Sequence, residues 1–178
     1  MTGLRKLRVG IAVDDVGEEL KRQLLARLQD HPCIESLRDY SYTFDDEAGM
    51  AYPTAALTTT EVVKRDEVDR AVLICGTGIG MCITANKVLG ARAAVGHESY
   101  WVERSIRSNN CQVLALGSRI VAPTLACRLL DEWLGYDFDE QTPSAAKLHL
   151  LDQLEQELQI DRPSHRESEE TQDLHPER

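Results

Sequence analysis

The chain is short of aromatic side chains, of basic charge and of long apolar runs, and each shortage excludes something. Aromatics make up only 5% of it. Lys and Arg number 20 against 30 Asp and Glu, a formal net charge of −10, so the surface as a whole is not built to hold nucleic acid, although a small basic pocket for an anion remains compatible with it. No stretch reaches the roughly 18 consecutive apolar residues of a membrane span, because the best of them, 71–85, is interrupted by Gly and Thr. The start, "MTGLRKLRVGIAVDD", runs into a strand pattern without the apolar stretch and small-residue cleavage site of a secretory signal. A cytoplasmic protein without a membrane partner is expected. The five cysteines, at 33, 75, 82, 111 and 127, contain no C-x-x-C pair, so neither a disulfide framework nor a zinc site is indicated. Small core residues are the ordinary reading for most of them; Cys75 calls for a separate argument.

What is present points to one aliphatic domain. At 178 residues and 42% hydrophobic content the chain is long enough to bury a single substantial core. Apolar runs recur at 8–13, 33–39, 70–75, 90–96 and 111–117, mostly without alternation, as in strands buried on both faces. Helical patterns lie between and after them, at 17–29, 54–65, 81–88, 100–108 and 123–133. Strands alternating with helices predict a doubly wound α/β domain, a five-stranded parallel sheet in a three-layer α/β/α arrangement. A further helix over 144–158 carries leucines at 148, 151, 154 and 158, spaced for one apolar face that packs on a neighbour or across a dimer interface. Residues 161–178 are charged and nearly devoid of apolar side chains, which reads as a disordered acidic tail after a domain spanning 1–160.

Ligands of such sheets bind beyond the carboxyl ends of the strands, which draws attention to "LICGTGIGMCITANK" at 73–87. Its loop, Cys75-Gly76-Thr77-Gly78-Ile79-Gly80, follows a strand and opens a helix, so several backbone N–H groups surround one point and suit an anion or oxyanion. A dinucleotide fingerprint fails, because Met81 stands where the third glycine belongs, and the G-K-[ST] of a P-loop is absent. The glycines could equally serve only to let helix and strand pack closely. Cys75 shifts the balance toward chemistry, since a thiol at a strand end beside a helix N-terminus is placed for use as a thiolate.

These residues also carry a resemblance. The stretch "AVLICGTGIGMCITANKVLGARAAVGHESYWVERSIRSNNCQVLALGSRIVAPTLACRLLDEWL" resembles the core of the ribose-5-phosphate isomerase B family, which includes the galactose-6-phosphate isomerase subunits, and the likeness extends over about 8–157. The resemblance implies a Rossmann-like sheet and a homodimer or dimer of dimers with its active site between subunits. It further implies aldose–ketose isomerisation through a cis-enediol(ate), with no metal and no cofactor. By position, Cys75 resembles the catalytic base, Thr77 a catalytic hydrogen-bonding partner of substrate oxygen, and the 76–80 backbone the cradle of the enediolate, with Gly76, Gly78, Ile79 and Gly80 as binding residues. Asp14, with Asp15, Tyr52, His97 and Asn109 fall at substrate-binding positions, and Arg119 at a phosphate-binding one. Asp14 could instead cap the following helix, Tyr52 shape a turn before Pro53, Arg119 form a surface ion pair, and His97 make a structural hydrogen bond.

The departures from that family concern the phosphate. The family's Asp-His after the first strand is Asp14-Asp15 here; its "GGRHxxRV" arginines fall at Thr142 and Ala146; and its ring-opening histidine falls at Ser108. A four-carbon sugar phosphorylated on O4 cannot close a furanose ring and needs no ring-opening acid, and its phosphate sits nearer the reacting carbons. The ending "FDEQTPSAAK" is similar to that of the erythrulose-4-phosphate isomerase branch, and Arg107, Arg119 and Lys147 are the available phosphate-binding cations. The expected reaction is therefore D-erythrulose 4-phosphate to D-erythrose 4-phosphate, with ribose 5-phosphate to ribulose 5-phosphate as the alternative. A non-catalytic partner subunit and a flavodoxin-like binding module are readings of other classes. A flavin would announce itself by absorbance near 450 nm, and none is expected.

Overall fold

The computed structural model describes residues 5–41 and 52–160, with side chains to 158. Its elements run β1 (Leu7–Val13), α1 (Glu18–Gln29), β2 (Ile34–Asp39), α2 (Tyr52–Lys64), β3 (Arg70–Cys75), α3 (Ile79–Ala85), β4 (Ala93–Val95), α4 (Ser99–Arg107), β5 (Val113–Gly117), α5 (Pro123–Gly135) and α6 (Pro143–Ile160). All strand pairs are parallel and the sheet order is β2-β1-β3-β5-β4. The chain leaves β1 toward one edge and β3 toward the other. The carboxyl ends of β1 and β3 therefore form the topological switch point, where sheets of this kind open a crevice for ligands.

The two faces of the sheet differ in bulk, and the difference sets what can approach. Val9, Ile11, Val13, Val72, Ile74, Leu114 and Leu116 meet Leu24 of α1, Ile106 of α4 and Leu129 and Trp133 of α5 in one core. On the other face Ala12, Ala71 and Ala115, with Leu73, Val113 and Cys75, meet Ala55 and Ala56 of α2 and Met81 and Ala85 of α3. Small side chains on both sides of that second contact let α2 and α3 lie close to the sheet. Cys75 belongs to this layer, under the short helix α3.

Burial on both faces, expected of most of the strands, holds for β3 and β5 throughout. It fails for β2, which is exposed at Glu35, Ser36, Arg38 and Asp39. This strand lies at the sheet edge, where charged side chains discourage pairing with another chain. The other edge, β4, is protected differently. Asn86 presents its side-chain amide as a strand would: Nδ2 donates to Ala93 O at 3.0 Å and Oδ1 accepts from Ala93 N–H at 2.9 Å. Asn86→Ala is expected to lower stability by about 1–2 kcal/mol, read as a fall in Tm of ~3–6 °C.

Helix α6 is tied to the body through Arg92–Asp152 at 2.8 Å and through Gly90 N–H donating to Glu155 Oε2 at 2.9 Å. Of its predicted apolar face only Leu148 is buried, while Leu151, Leu154 and Leu158, with Leu150, remain exposed. No helix among the described residues is long and apolar enough to cross a membrane. The expected tail, 161–178, lies outside the described residues.

Candidate active site

Three loops meet at the switch point and are bonded to one another. The register Val13↔Ile74 and Cys75↔Gly117 sets Asp14, Cys75 and Gly117 at the carboxyl ends of neighbouring strands. Ser118 N–H donates to Cys75 O at 2.8 Å and Arg119 N–H to Gly76 O at 3.0 Å. Ser118 Oγ donates to Val16 O at 3.0 Å, joining the loop after β5 to the loop after β1. Gly117 has to be glycine, because a Cβ there would stand 2.7 Å from the Thr77 carbonyl carbon, a backbone atom with no room to retreat. Gly117 and Ser118 open the 117–119 loop that the carboxyl-end rule marks in the sequence, but their part in building the site is visible only here.

The loop holds its sulfur in a defined place. Gly78, with φ of 78°, adopts the left-handed conformation that glycine takes without strain, and its N–H donates to Cys75 Sγ at 3.1 Å. Thr77 Oγ1 accepts from Ile79 N–H at 3.3 Å. The N–H groups of Gly76, Thr77 and Gly80 have no acceptor among the described residues. Helix α3 has only seven residues, so the loop offers an oxyanion these local donors rather than the dipole of a long helix. Cys75 itself is 5% exposed, at the floor of the crevice.

Asp14 is nearly buried beside this loop. Burial pushes its carboxyl above the ordinary 3.8, aided by the negative charge of Asp15; N–H groups of Val16 and Gly17 and the Arg119 cation oppose the rise without cancelling it. Its Oδ1 accepts from Val16 N–H at 3.2 Å, an Asx-type turn that holds the carboxylate at the strand end rather than a helix cap. The sign follows from linkage. A raised folded-state value means that stability contributed by this group is complete below the unfolded value and is lost as pH rises through the folded one. Asp14→Asn is therefore expected to raise Tm at neutral pH. If ionised Asp14 receives substrate, the acidic limb of kcat/KM lies above 3.8, and Asp15→Asn moves it downward; a limb unmoved in that variant would refute the assignment.

Tyr52 is the first residue of α2 rather than part of a turn, and its ring lies over Gly80, where an added Cβ would be 2.5 Å from Cε2. Arg119 is exposed and its side chain passes over Gly76. Asp15 and His97 are exposed at the same end of the sheet, the His97 ring lying edge-on to Trp101 with centroids 6.4 Å apart. Cys82 packs, its thiol donating to Ala93 O at 3.4 Å.

The remaining predicted residues lie elsewhere in the chain. Asn109 follows α4 at the amino end of β5, opposite to Cys75, and its Nδ2 donates to Arg104 O at 3.0 Å. It lines a cleft of about 460 Å³ with Tyr100, Trp101 and Arg104. Arg107 ends the same helix, 3.7 Å from Glu103 and stacked over Tyr136. Lys147 is exposed on α6 and has no ion pair among the described residues. One chain thus assembles Asp14, Asp15, Tyr52, the 75–80 loop, His97 and Arg119 at one end, and carries Arg107, Asn109 and Lys147 away from them.

Comparison with known proteins gives concordant matches. The Ribose/Galactose Isomerase family profile matches residues 9–151. The chain is 44% identical over 143 residues to D-erythrulose-4-phosphate isomerase 2 of Mycolicibacterium smegmatis, covering 80% of this chain and 93% of that protein. It is 41% identical over 150 residues to Ribose-5-P isomerase B of Listeria innocua, covering 84% and 98%. Among solved structures, Clostridium thermocellum ribose-5-phosphate isomerase B matches with a TM-score of 0.75 at 34% identity, over 85% of this chain and 99% of that one.

Proposed function

The chain belongs to the ribose/galactose isomerase family, and from that premise we propose that it interconverts D-erythrulose 4-phosphate and D-erythrose 4-phosphate. It is a sugar-phosphate isomerase of Rossmann-like fold, which sets aside the flavin-binding and non-catalytic readings. The observation that carries the chemical assignment is the Cys75–Gly80 loop, with its thiol and N–H groups unpaired among the described residues, facing Asp14 at the switch point. In the proposed reaction the Cys75 thiolate removes a proton from C1 of the ketose, and electrons move onto the C2 oxygen. The resulting cis-enediolate is held by loop N–H groups and by Thr77. The same thiol returns the proton to C2 while the O1 proton passes to O2, so the aldose forms with no net gain or loss of atoms.

Asp14 and Asp15 would receive substrate hydroxyls, and Tyr52 and His97 would border them. Arg119 would meet the phosphate. Arg107, Asn109 and Lys147 would enter from a second copy, in a homodimer or dimer of dimers. Two exposed apolar surfaces support that association: Ile79 and Ile83 beside the catalytic loop, and Tyr100 and Trp101 beside Asn109. Neither metal nor cofactor has a part in this reading. A cytoplasmic setting and erythritol-type catabolism go with it.

The four-carbon substrate is favoured by Ser108 and by the loss of the family's distal arginines at Thr142 and Ala146, together with the 44% identity to the mycobacterial tetrulose-phosphate enzyme. The 41% identity to the Listeria protein keeps ribose 5-phosphate as the second reading. A side-by-side assay of dialysed, EDTA-treated protein is expected to give a kcat/KM at least tenfold higher, about 1.4 kcal/mol in transition-state binding, for the tetrulose phosphate. Preference for ribose 5-phosphate would overturn the substrate assignment and leave the enediolate chemistry standing.

A further inference from the structure

Lys21 is a charged side chain that the reaction outlined above does not use, and it is 9% exposed. Its ammonium, on the first turns of α1, lies 2.9 Å from Glu18 Oε1 and 3.1 Å from Asp39 Oδ2, and donates to Ser41 Oγ at 3.3 Å. Asp39 is the last residue of β2, and its Oδ1 accepts from Ser41 N–H at 2.8 Å. Burial pushes the Asp39 carboxyl up, but hydrogen bonds from Ser41 and Lys21 outweigh it and hold the group below its ordinary value. Burial likewise opposes charge on Lys21, and Glu18 and Asp39 reverse that effect. The cluster is a charged network at the edge of the switch point.

The role of the cluster lies in what Ser41 does with its oxygen. The β1–β2 ladder ends with Tyr40 N–H donating to Ile11 O at 2.8 Å. The next inward N–H of β1, that of Val13, donates to Ser41 Oγ at 3.1 Å instead of to a main-chain carbonyl. Val13 immediately precedes Asp14, whose own N–H is held from the β3 side by Ile74 O at 3.1 Å. Lys21, Asp39 and Ser41 thus supply the β2 side of the clamp at the point where β2 parts from β1. An ion pair to carboxylates as exposed as Glu18 and Asp39 contributes little net stability, because solvent screens the attraction. What it does supply is a fixed geometry, and the geometry fixed here is that of the peptide leading into Asp14.

We propose that Lys21 is a positioning residue for the isomerisation: through Asp39 and Ser41 it fixes the main chain at Val13, and so sets where the Asp14 carboxylate meets substrate. This rests on Asp14 being a substrate-binding residue of the Cys75 site. The test is a double-mutant cycle of Lys21→Met with Asp14→Asn, with kcat and KM measured separately and folding checked by thermal melting. Lys21→Met is expected to lower kcat/KM about tenfold, mainly through KM, since misplacement of a substrate-orienting group has effects of this size or larger. In the Asp14→Asn background its further effect is expected to be less than about twofold, because acting through Asp14 makes the two changes non-additive.

Ser41→Ala provides the same test without removing a charge, and Ser41→Thr, which keeps the hydroxyl, is expected to restore the wild-type KM. Equal losses in both backgrounds, or no loss in either, would overturn the proposal. Cys75→Ser is measured in parallel. Its inactivation alongside an additive Lys21→Met removes only the inference about Lys21, whereas an active Cys75→Ser enzyme removes the reading of the site and this inference with it.

Discussion

Cys75→Ala is expected to lower kcat/KM by about 10²–10⁴, the range usual for loss of a positioned general base, with the fall in kcat and only a modest fall in Tm. Among the described residues the thiol makes one hydrogen bond, from Gly78 N–H, and alanine leaves that buried donor unpaired at a cost of about 1–3 kcal/mol. The substitution removes little apolar volume from a layer already built of small side chains. A large kinetic loss without a matching stability loss therefore separates a proton-transfer role from a packing role. Retained activity would sink the mechanism. Alkylation gives an independent measurement. Burial pushes the Cys111 thiol up to about 12 and raises those of Cys82 and Cys127 above their ordinary value, so these three react slowly at neutral pH. Cys33 is buried at the amino end of β2, away from the site, so inactivation by iodoacetamide that is slowed by substrate is expected to follow modification of Cys75.

Mixing two inactive variants is expected to restore activity. Within one chain Cys75 and Asn109 stand at opposite ends of the sheet, so a site that uses both must draw them from two copies. Cys75→Ala and Asn109→Ala homodimers would each carry two defective sites. A heterodimer formed by subunit exchange would carry one site with both defects and one with neither. Random exchange makes half of all dimers mixed, so about a quarter of the wild-type activity should return in a symmetric two-chain assembly. Asn109→Ala must first reduce activity alone, as expected for removal of a buried substrate hydrogen bond worth about 1–3 kcal/mol. No recovery after demonstrated exchange would mean that Asn109 serves its own chain, as its bond to Arg104 O would allow. It would also remove the argument for a site shared between copies.

The strands at 8–13, 70–75 and 111–117 were legible because a strand buried on both faces must be apolar throughout, and their observed limits differ by two residues at most. The edge strand β2 was legible as a strand but not as an edge. Its apolar positions, Ile34 and Leu37, signal a strand, but whether another strand covers the second side depends on sheet order, which no local pattern contains. Tyr52 was read as a substrate-binding residue, with a turn before Pro53 as the alternative. It begins α2 because proline at the second helical position lacks only an N–H that the helix leaves unpaired there.

The sequence by itself carried the pieces of the proposed centre: a thiol followed by alternating glycines after a buried strand, and an acid after the first strand. Residue type and spacing suffice for that, because a tight loop needs glycine and a proton-transfer group needs a titratable atom. Only the tertiary structure decided which of those groups face one another. The 2-1-3-5-4 order sets Asp14 beside Cys75 and sends Asn109 to the far end of the sheet. The Lys21–Asp39–Ser41 network at the β1 terminus became visible only there as well. These are contacts between segments tens of residues apart, formed when strands pair and helices cover them, and local propensity carries no record of which distant partner a side chain will meet.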